Sequence, residues 1–245
     1  MTSIVGIDCA TDPKSVGLAL ASFSPGGSVI EQLQMGSSTT LPIDIVTKWV
    51  DGSTQPTLFA IDAPLGWPVP LARALQNHVA GEMFEAQAHD LFRRATDRYV
   101  REVIGKQPLD VGADRIARTA YAALKLIHDL RQRLGRPIPL AWYPELSCHS
   151  VIEVYPAATL IAHGIETTGY KAENGWRERE RIAVEMRSRI GIDIEIPGIK
   201  KRSDGLDAVI CVLAAVDFLS GAALPPEANC PVEKEGWIWF RNPKV

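Results

Sequence analysis

Two acidic side chains occupy positions in the sequence where an isolated charge is costly. Asp8 ends the short β-branched run 3–7, and Asp62 ends the similar run 57–61. Both runs are typical of central strands buried on both faces. If these strands are parallel neighbours, both carboxylates emerge at the edge where open α/β sheets bind ligands. Neighbouring carboxylates repel each other unless a cation lies between them, so the pair indicates a site for Mg²⁺ or Mn²⁺.

Further acids are candidates for the same site. Asp207 lies three residues after Asp204, so both share one face of a predicted helix. Glu153 lies between β-branched residues of a predicted strand, where an acid is costly to bury unless it is ligated or paired. Each acid also has a structural explanation, as a turn cap or a first-turn helix acid, and for Asp204 we prefer that explanation. The candidate catalytic and metal-binding set is Asp8, Asp62, Glu153 and Asp207.

Basic residues near these acids are candidates for substrate binding. Lys200 and Lys201 directly precede the acidic helix, which places positive charge where a scissile phosphate would lie. Arg94 belongs to a group of arginines in a helical stretch and could neutralise a phosphate, although an exposed helix face is the alternative. The five histidines have no zinc-ligand spacing, and the sequence contains no serine-hydrolase, dinucleotide-binding or Walker motif.

The predicted elements position these residues in an α/β layer. Three apolar segments close in sequence predict an antiparallel meander, and a short helix and a fourth strand follow. Helical spacing over 71–134 then interrupts the sheet before a fifth strand and the terminal helices. We therefore expect a mixed sheet flanked by helices, a single domain over 1–245, a helical insertion at about 66–149 between the fourth and fifth strands, and an aromatic edge strand at 236–240.

Composition excludes several classes of protein. The net charge of −3 over 245 residues gives no global positive field, so a nucleic acid would have to bind a local patch. The four cysteines have no regular spacing, so we expect reduced thiols and a cytoplasmic protein. No apolar stretch reaches the roughly 20 residues that span a bilayer, and we expect no membrane association.

Four segments together resemble a known family. The segments 6–8, 61–66, 153–156 and 204–208 look like the family catalogued as domain of unknown function 429, and the resemblance covers nearly the whole chain. It implies a ribonuclease H-like fold, a nuclease activity, and an acidic set formed by Asp8, Asp62, Glu153 and Asp207. Segment 204–207 is also similar to the acidic helix of the Holliday-junction resolvase group, and 94–97 looks like a further family motif. The long insertion departs from the simplest ribonuclease H pattern, so the substrate type does not transfer.

Three functions compete on these grounds. The leading hypothesis is a nuclease in which the acids hold two Mg²⁺ or Mn²⁺ ions and water attacks a nucleic-acid phosphodiester. A phosphotransferase related to actin and sugar kinases shares the strand-end Asp, but it normally has glycine-rich phosphate loops, and residues 8–12 contain none. A non-catalytic binding protein that retained the fold is the third, and a lack of divalent-ion binding would favour it.

Overall fold

A five-stranded sheet with the order β3-β2-β1-β4-β5 forms the centre of the molecule. The computed structural model describes residues 2–112, 114–190, 199 and 201–244. The strands are β1 (Thr2–Asp8), β2 (Gly17–Ser24), β3 (Gly27–Met35), β4 (Thr57–Asp62) and β5 (Ser150–Glu153). The helices are α1 (Pro42–Val50), α2 (Val69–Gln76), α3 (Ala88–Phe92), α4 (Ala95–Ile104), α5 (Asp114–Leu134), α6 (Pro156–Ala162), α7 (Trp176–Ile190), α8 (Ser203–Leu219) and α9 (Val232–Glu235), and a 3₁₀ turn covers Pro13–Ser15.

The strand directions confirm the predicted fold class. β1, β2 and β3 form an antiparallel meander, whereas β1, β4 and β5 run parallel. Helices α2 to α5 lie between β4 and β5, where the helical insertion was expected. This is the mixed sheet flanked by helices that the sequence predicted. The single-domain assignment over 1–245 and the insertion limits at about 66–149 remain predictions.

Both faces of the sheet are covered, which explains why its central strands read as continuous apolar runs. Ile4 of β1 belongs to the core beneath α8, and the next residue, Val5, belongs to the core beneath α1 and α5. Successive side chains of a strand point to opposite faces, so this alternation divides one strand between two cores. The hydrophobic core therefore fixes the register of β1, and with it the position of Asp8.

Two glycines allow α8 to lie directly on the sheet. A Cβ atom at Gly6 would lie 2.1 Å from the carbonyl oxygen of Ala208, and one at Gly17 would lie 2.0 Å from the carbonyl oxygen of Asp204. Both distances are below any real Cβ contact, so a larger residue would push the helix away. This close approach sets α8 across the ends of β1 and β2, and Asp207 belongs to its buried face.

The aromatic tail is buried as expected, but it does not form a regular strand. Trp237 and Phe240 are almost fully buried, and the pairing to β5 is a single parallel bridge between Glu153 and Ile238. Gly236 has φ of 73°, a left-handed conformation that turns the chain directly before the tail. Side-chain packing and separate hydrogen bonds hold these residues without a regular ladder, and the N–H of Trp239, for example, donates to the carbonyl oxygen of Glu153 at 3.0 Å. None of the described helices combines the length and hydrophobicity needed to span a bilayer.

Candidate active site

Asp8 and Asp62 lie side by side at the carboxyl edge of the sheet. They are direct partners in the parallel register of β1 and β4, and both are partly buried. In the described part of the chain, neither carboxylate accepts a hydrogen bond or forms an ion pair. Burial, followed by the charges of Asp207 and Asp62, raises the pKa of Asp8 well above its usual range. Burial also raises the pKa of Asp62, to about 7, against the opposing charge of Lys171.

Asp207 faces the same site from α8, but it already has partners. The Tyr170 hydroxyl donates to Asp207 Oδ1 at 2.7 Å, and Lys171 Nζ lies 3.1 Å from Asp207 Oδ2. Burial raises the pKa of Asp207, whereas Lys171 and Tyr170 lower it. The three aspartates Asp8, Asp62 and Asp207 all raise the pKa of the Lys171 ammonium despite its partial burial. Lys171 therefore pairs with Asp207 and also interacts electrostatically with Asp8 and Asp62.

A buried arginine positions the loop that carries Tyr170 and Lys171. Arg179 of α7 is 1% exposed, and its Nη1 donates to the carbonyl oxygens of Tyr170 and Ala172 at 2.7 and 2.9 Å. These bonds hold the backbone on both sides of Lys171. Sequence reasoning missed Tyr170 and Lys171 because they lie in a loop, where no helical or strand spacing connects them to the acids. Arg179 could not be identified from the sequence, because arginines that alternate with glutamates along a helix are typical of a solvated face.

Glu153 lies close to Asp62, but its carboxylate already has partners. It lies on β5 next to the site, but Arg94 Nη2 and Nη1 donate to its two carboxylate oxygens at 2.6 and 2.8 Å, and the backbone N–H of Leu65 donates to Oε2 at 2.9 Å. The side chain is 3% exposed. We predicted that an acid at this position must be ligated or paired, and Glu153 is paired with Arg94. Binding a metal ion through Glu153 would require breaking this ion pair.

Arg94 has a different place from the one we expected for a substrate-binding residue. Its side chain is 1% exposed, and besides Glu153 it pairs with both oxygens of Asp97 at 2.9 and 3.1 Å. Its Nη1 also donates to the carbonyl oxygen of Glu235 at 2.9 Å. A guanidinium has five N–H groups, and these contacts use all of them. Arg94 therefore has no donor left for a substrate phosphate, and its role is to tie α4 to β5 and to the tail.

The remaining residues of motif 94–97 make similar contacts. The N–H of Ala95 donates to Glu235 Oε2 at 2.6 Å, while the N–H of Val69 donates to Oε1 of the same carboxylate at 2.8 Å. The Thr96 hydroxyl accepts from the N–H of Ile238 at 2.8 Å. Glu235 thus satisfies one backbone donor at the first residue of both α2 and α4. These contacts give the motif a structural function that its sequence did not reveal.

The substrate-binding role expected for the basic run before α8 stays a prediction. Lys200 lies outside the described residues, and Lys201 is exposed. Asp204 lies in the first turn of α8 and pairs with Arg202 at 2.7 Å. This contact is the structural role that we preferred for Asp204. The cation that contacts the acidic group in the described structure is Lys171.

The chemistry of Asp8 and Asp62 fits a divalent cation. Within the described residues, no group of three or more His, Cys, Asp or Glu side chains is arranged to hold a metal ion. Mg²⁺, however, keeps several waters and usually binds through one or two carboxylates together with substrate phosphates. Two adjacent carboxylates that form no hydrogen bond or ion pair with the described residues, each with a raised pKa, provide this type of donor set. The four-acid set expected from the sequence stays a prediction, and within the described residues Asp8 and Asp62 are its members that form no hydrogen bond or ion pair.

Comparison with known proteins gives one family and one distant structure. The family model described as "Protein of unknown function (DUF429)" matches residues 6–230. No curated protein matches the sequence significantly. A solved structure described as "T. thermophilus RuvC in complex with Holliday junction substrate" is 14% identical, with a TM-score of 0.41, over 92% of this chain and 100% of that one. A similarity of this size carries no information about activity.

Proposed function

This chain belongs to the family described as "Protein of unknown function (DUF429)", and we propose that it is a divalent-metal-dependent nuclease of ribonuclease H-like fold. The observation that carries the proposal is the pair of adjacent carboxylates, Asp8 and Asp62, which form no hydrogen bond or ion pair with the described residues and have raised pKa values. A fold that maintains such repulsion without a bound cation loses stability. Oxygen ligands at the carboxyl edge of a mixed sheet suit Mg²⁺ or Mn²⁺.

Asp8 and Asp62 would hold the ion. When bound, a divalent ion supplies Lewis-acid stabilisation of the negative charge that develops on a phosphoryl group. A second ion, as in the two-metal hypothesis, requires Asp207 to exchange the ammonium of Lys171 for that ion. The described contacts therefore favour one ion at Asp8 and Asp62.

Lys171 would contact the substrate phosphate. Its side chain is 56% exposed although its ammonium contacts buried Asp207, so it can turn toward a phosphate oxygen without disturbing the core. An ammonium group is a compact point charge that binds phosphate well. Tyr170 keeps Asp207 in place through its 2.7 Å hydrogen bond during this exchange. Arg179 limits the movement of the loop because it binds the backbone on both sides of Lys171.

Calorimetric titration of Mg²⁺ and Mn²⁺ into the protein tests the ion site, and cleavage assays on single-stranded DNA, RNA, duplex and hybrid substrates test the activity. We expect Asp8→Asn to abolish both ion binding and cleavage. Lys171→Gln should retain the ion but lower cleavage by about 10- to 1,000-fold, as for other groups that stabilise developing charge. Asp51→Asn, an exposed carboxylate after α1, is the matched control and should behave as the wild type.

Several results would contradict the proposal. If the wild-type protein binds no divalent ion, the fold has kept its acids for another purpose and the non-catalytic alternative is favoured. If Asp8→Asn cleaves as fast as wild type with the same metal dependence, the acidic pair is not the active site. If cleavage is absent but ATP is hydrolysed, the phosphotransferase alternative is favoured.

A further inference from the structure

A small cavity opens directly beside the acidic pair. It has a volume of about 150 Å³, and Asp62 and Lys171 lie on its wall. The apolar part of the wall comes from the loop before α5, from α5 itself and from the end of β5, with Pro108, Leu109, Ile116, Val154 and Tyr155. Leu109 is 69% exposed, so its side chain is accessible to a ligand. This apolar wall is not used by the chemistry proposed above.

The size of the cavity matches one small aromatic ring. An apolar cavity of about 150 Å³ in another protein binds a single benzene molecule. The half-buried ring of Tyr155 provides a flat aromatic surface, and aromatic side chains of this kind stack with nucleobases. The Tyr155 hydroxyl makes no hydrogen bond among the described residues, so a polar edge of a bound ring would find a donor there.

Both apolar and charged groups line the cavity. Leu109 and Ile116 offer apolar contact, whereas Asp62 and Lys171 belong to the site where the scissile phosphate would bind. Arg94 and Glu153 also line the cavity, but they are ion-paired with each other. A ligand that satisfies both kinds of group has a flat ring next to a phosphate, which is the chemistry of a nucleotide.

We propose that this cavity, which we call the Tyr155 pocket, binds one unstacked base next to the phosphate that is cut, so that the substrate is single-stranded nucleic acid. The inference rests on the proposed function. In a continuous duplex every base is paired and stacked, and a base enters a pocket of this kind only after it leaves the stack, which costs free energy. The bases of a single strand are unpaired, so a base of a single strand enters the pocket at a lower cost in free energy. Both DNA and RNA contain the base and the phosphate, so the pocket alone does not distinguish them.

Binding of labelled oligonucleotides tests the Tyr155 pocket. Fluorescence anisotropy with Mg²⁺, read before cleavage, would compare a single-stranded DNA, the same sequence as RNA, the DNA duplex, and the single strand with its bases removed. We expect wild type to bind either single strand about 5- to 100-fold more tightly than the strand without bases. Leu109→Asp should lose this preference, because it places a charge in the apolar wall at an exposed position. Leu75→Asp, at a 54% exposed position of α2 outside the pocket, is the matched control.

The outcomes separate this inference from the nuclease proposal. If Leu109→Asp weakens binding of the normal strand but not of the strand without bases, the inference holds, even if no cleavage is found. If wild type cleaves nucleic acid but binds duplex as well as single strand, or if Leu109→Asp has no effect, the inference is wrong and the nuclease proposal survives. If wild type binds none of the oligonucleotides, the inference is also wrong. Tyr155→Leu, which removes the ring, should reproduce the effect of Leu109→Asp.

Discussion

Replacing Asp62 with asparagine is expected to stabilise the protein above neutral pH and, at the same time, to remove divalent-ion binding. The carboxyl of Asp62 has a pKa of about 7 in the folded protein, raised from 3.8 chiefly by burial. The folded state therefore binds this proton more tightly than the unfolded state does. Folding stability from this group is fully present below about pH 4 and declines as the pH rises to about 7. Asparagine has nearly the same shape and no charge, so the decline is absent in the variant.

The size of the effect follows from the pKa. A rise from 3.8 to about 7 corresponds to an upper limit of about 4 kcal/mol, at about 1.36 kcal/mol per pKa unit. Because Asp62 is only partly buried and shares its charge interactions with Asp8, we expect about 1 to 2 kcal/mol. For a chain of this length, that is a rise in Tm of about 2 to 8 °C. At about pH 4, where the wild-type carboxyl is protonated, the two proteins should have similar stability.

Thermal unfolding in metal-free buffer at about pH 4 and about pH 8 measures this difference, with Asp51→Asn as the exposed control. Adding Mg²⁺ should then raise the Tm of the wild type and of Asp51→Asn, but not that of Asp62→Asn, because a ligand stabilises only the state that binds it. If Asp62→Asn is no more stable than wild type at the higher pH, the carboxylate repulsion that supports the ion site is not present. If Mg²⁺ stabilises Asp62→Asn as much as wild type, the ion binds elsewhere.

Three further results are expected. Gly6→Ala should lower the free energy of unfolding by about 3 kcal/mol or more in urea denaturation, because its Cβ would overlap the Ala208 carbonyl oxygen; an unchanged midpoint would contradict the packing of α8 on β1. Arg94→Met should destabilise by about 3 to 5 kcal/mol by leaving Glu153 buried without its partner, and adding Glu153→Met should restore part of that loss. Burial lowers the pKa of His149, so the free energy of unfolding of the wild type should decrease as the pH drops below about 6.5. The free energy of unfolding of His149→Gln should decrease less over the same pH range.

The sequence alone was sufficient for the central part of the fold. Buried strands that end in acids, together with the helical stretch between the fourth and fifth strands, predicted the mixed sheet. They also placed Asp8 beside Asp62 on the condition that the first and fourth strands are parallel neighbours, which the structure shows. These features depend on local patterns, since a strand buried on both faces must be apolar throughout its length. The contribution of Asp207 could also be predicted, because its position on α8 follows from helical spacing.

The partners of these acids were decided only by the tertiary structure. Glu153 and Arg94 lie 59 residues apart, and Tyr170 and Asp207 lie 37 apart, so each pair forms only when loops bring distant elements together. Sequence patterns identify a charge but not the side chain that neutralises it. For this reason Asp8, Glu153 and Asp207 looked equivalent in the sequence. In the folded protein Glu153 is ion-paired with an arginine, and Asp207 is held by a tyrosine and a lysine. Asp8 remains available with Asp62 for a cation. The acids differ because burial removes water from all of them, while only some gain a partner.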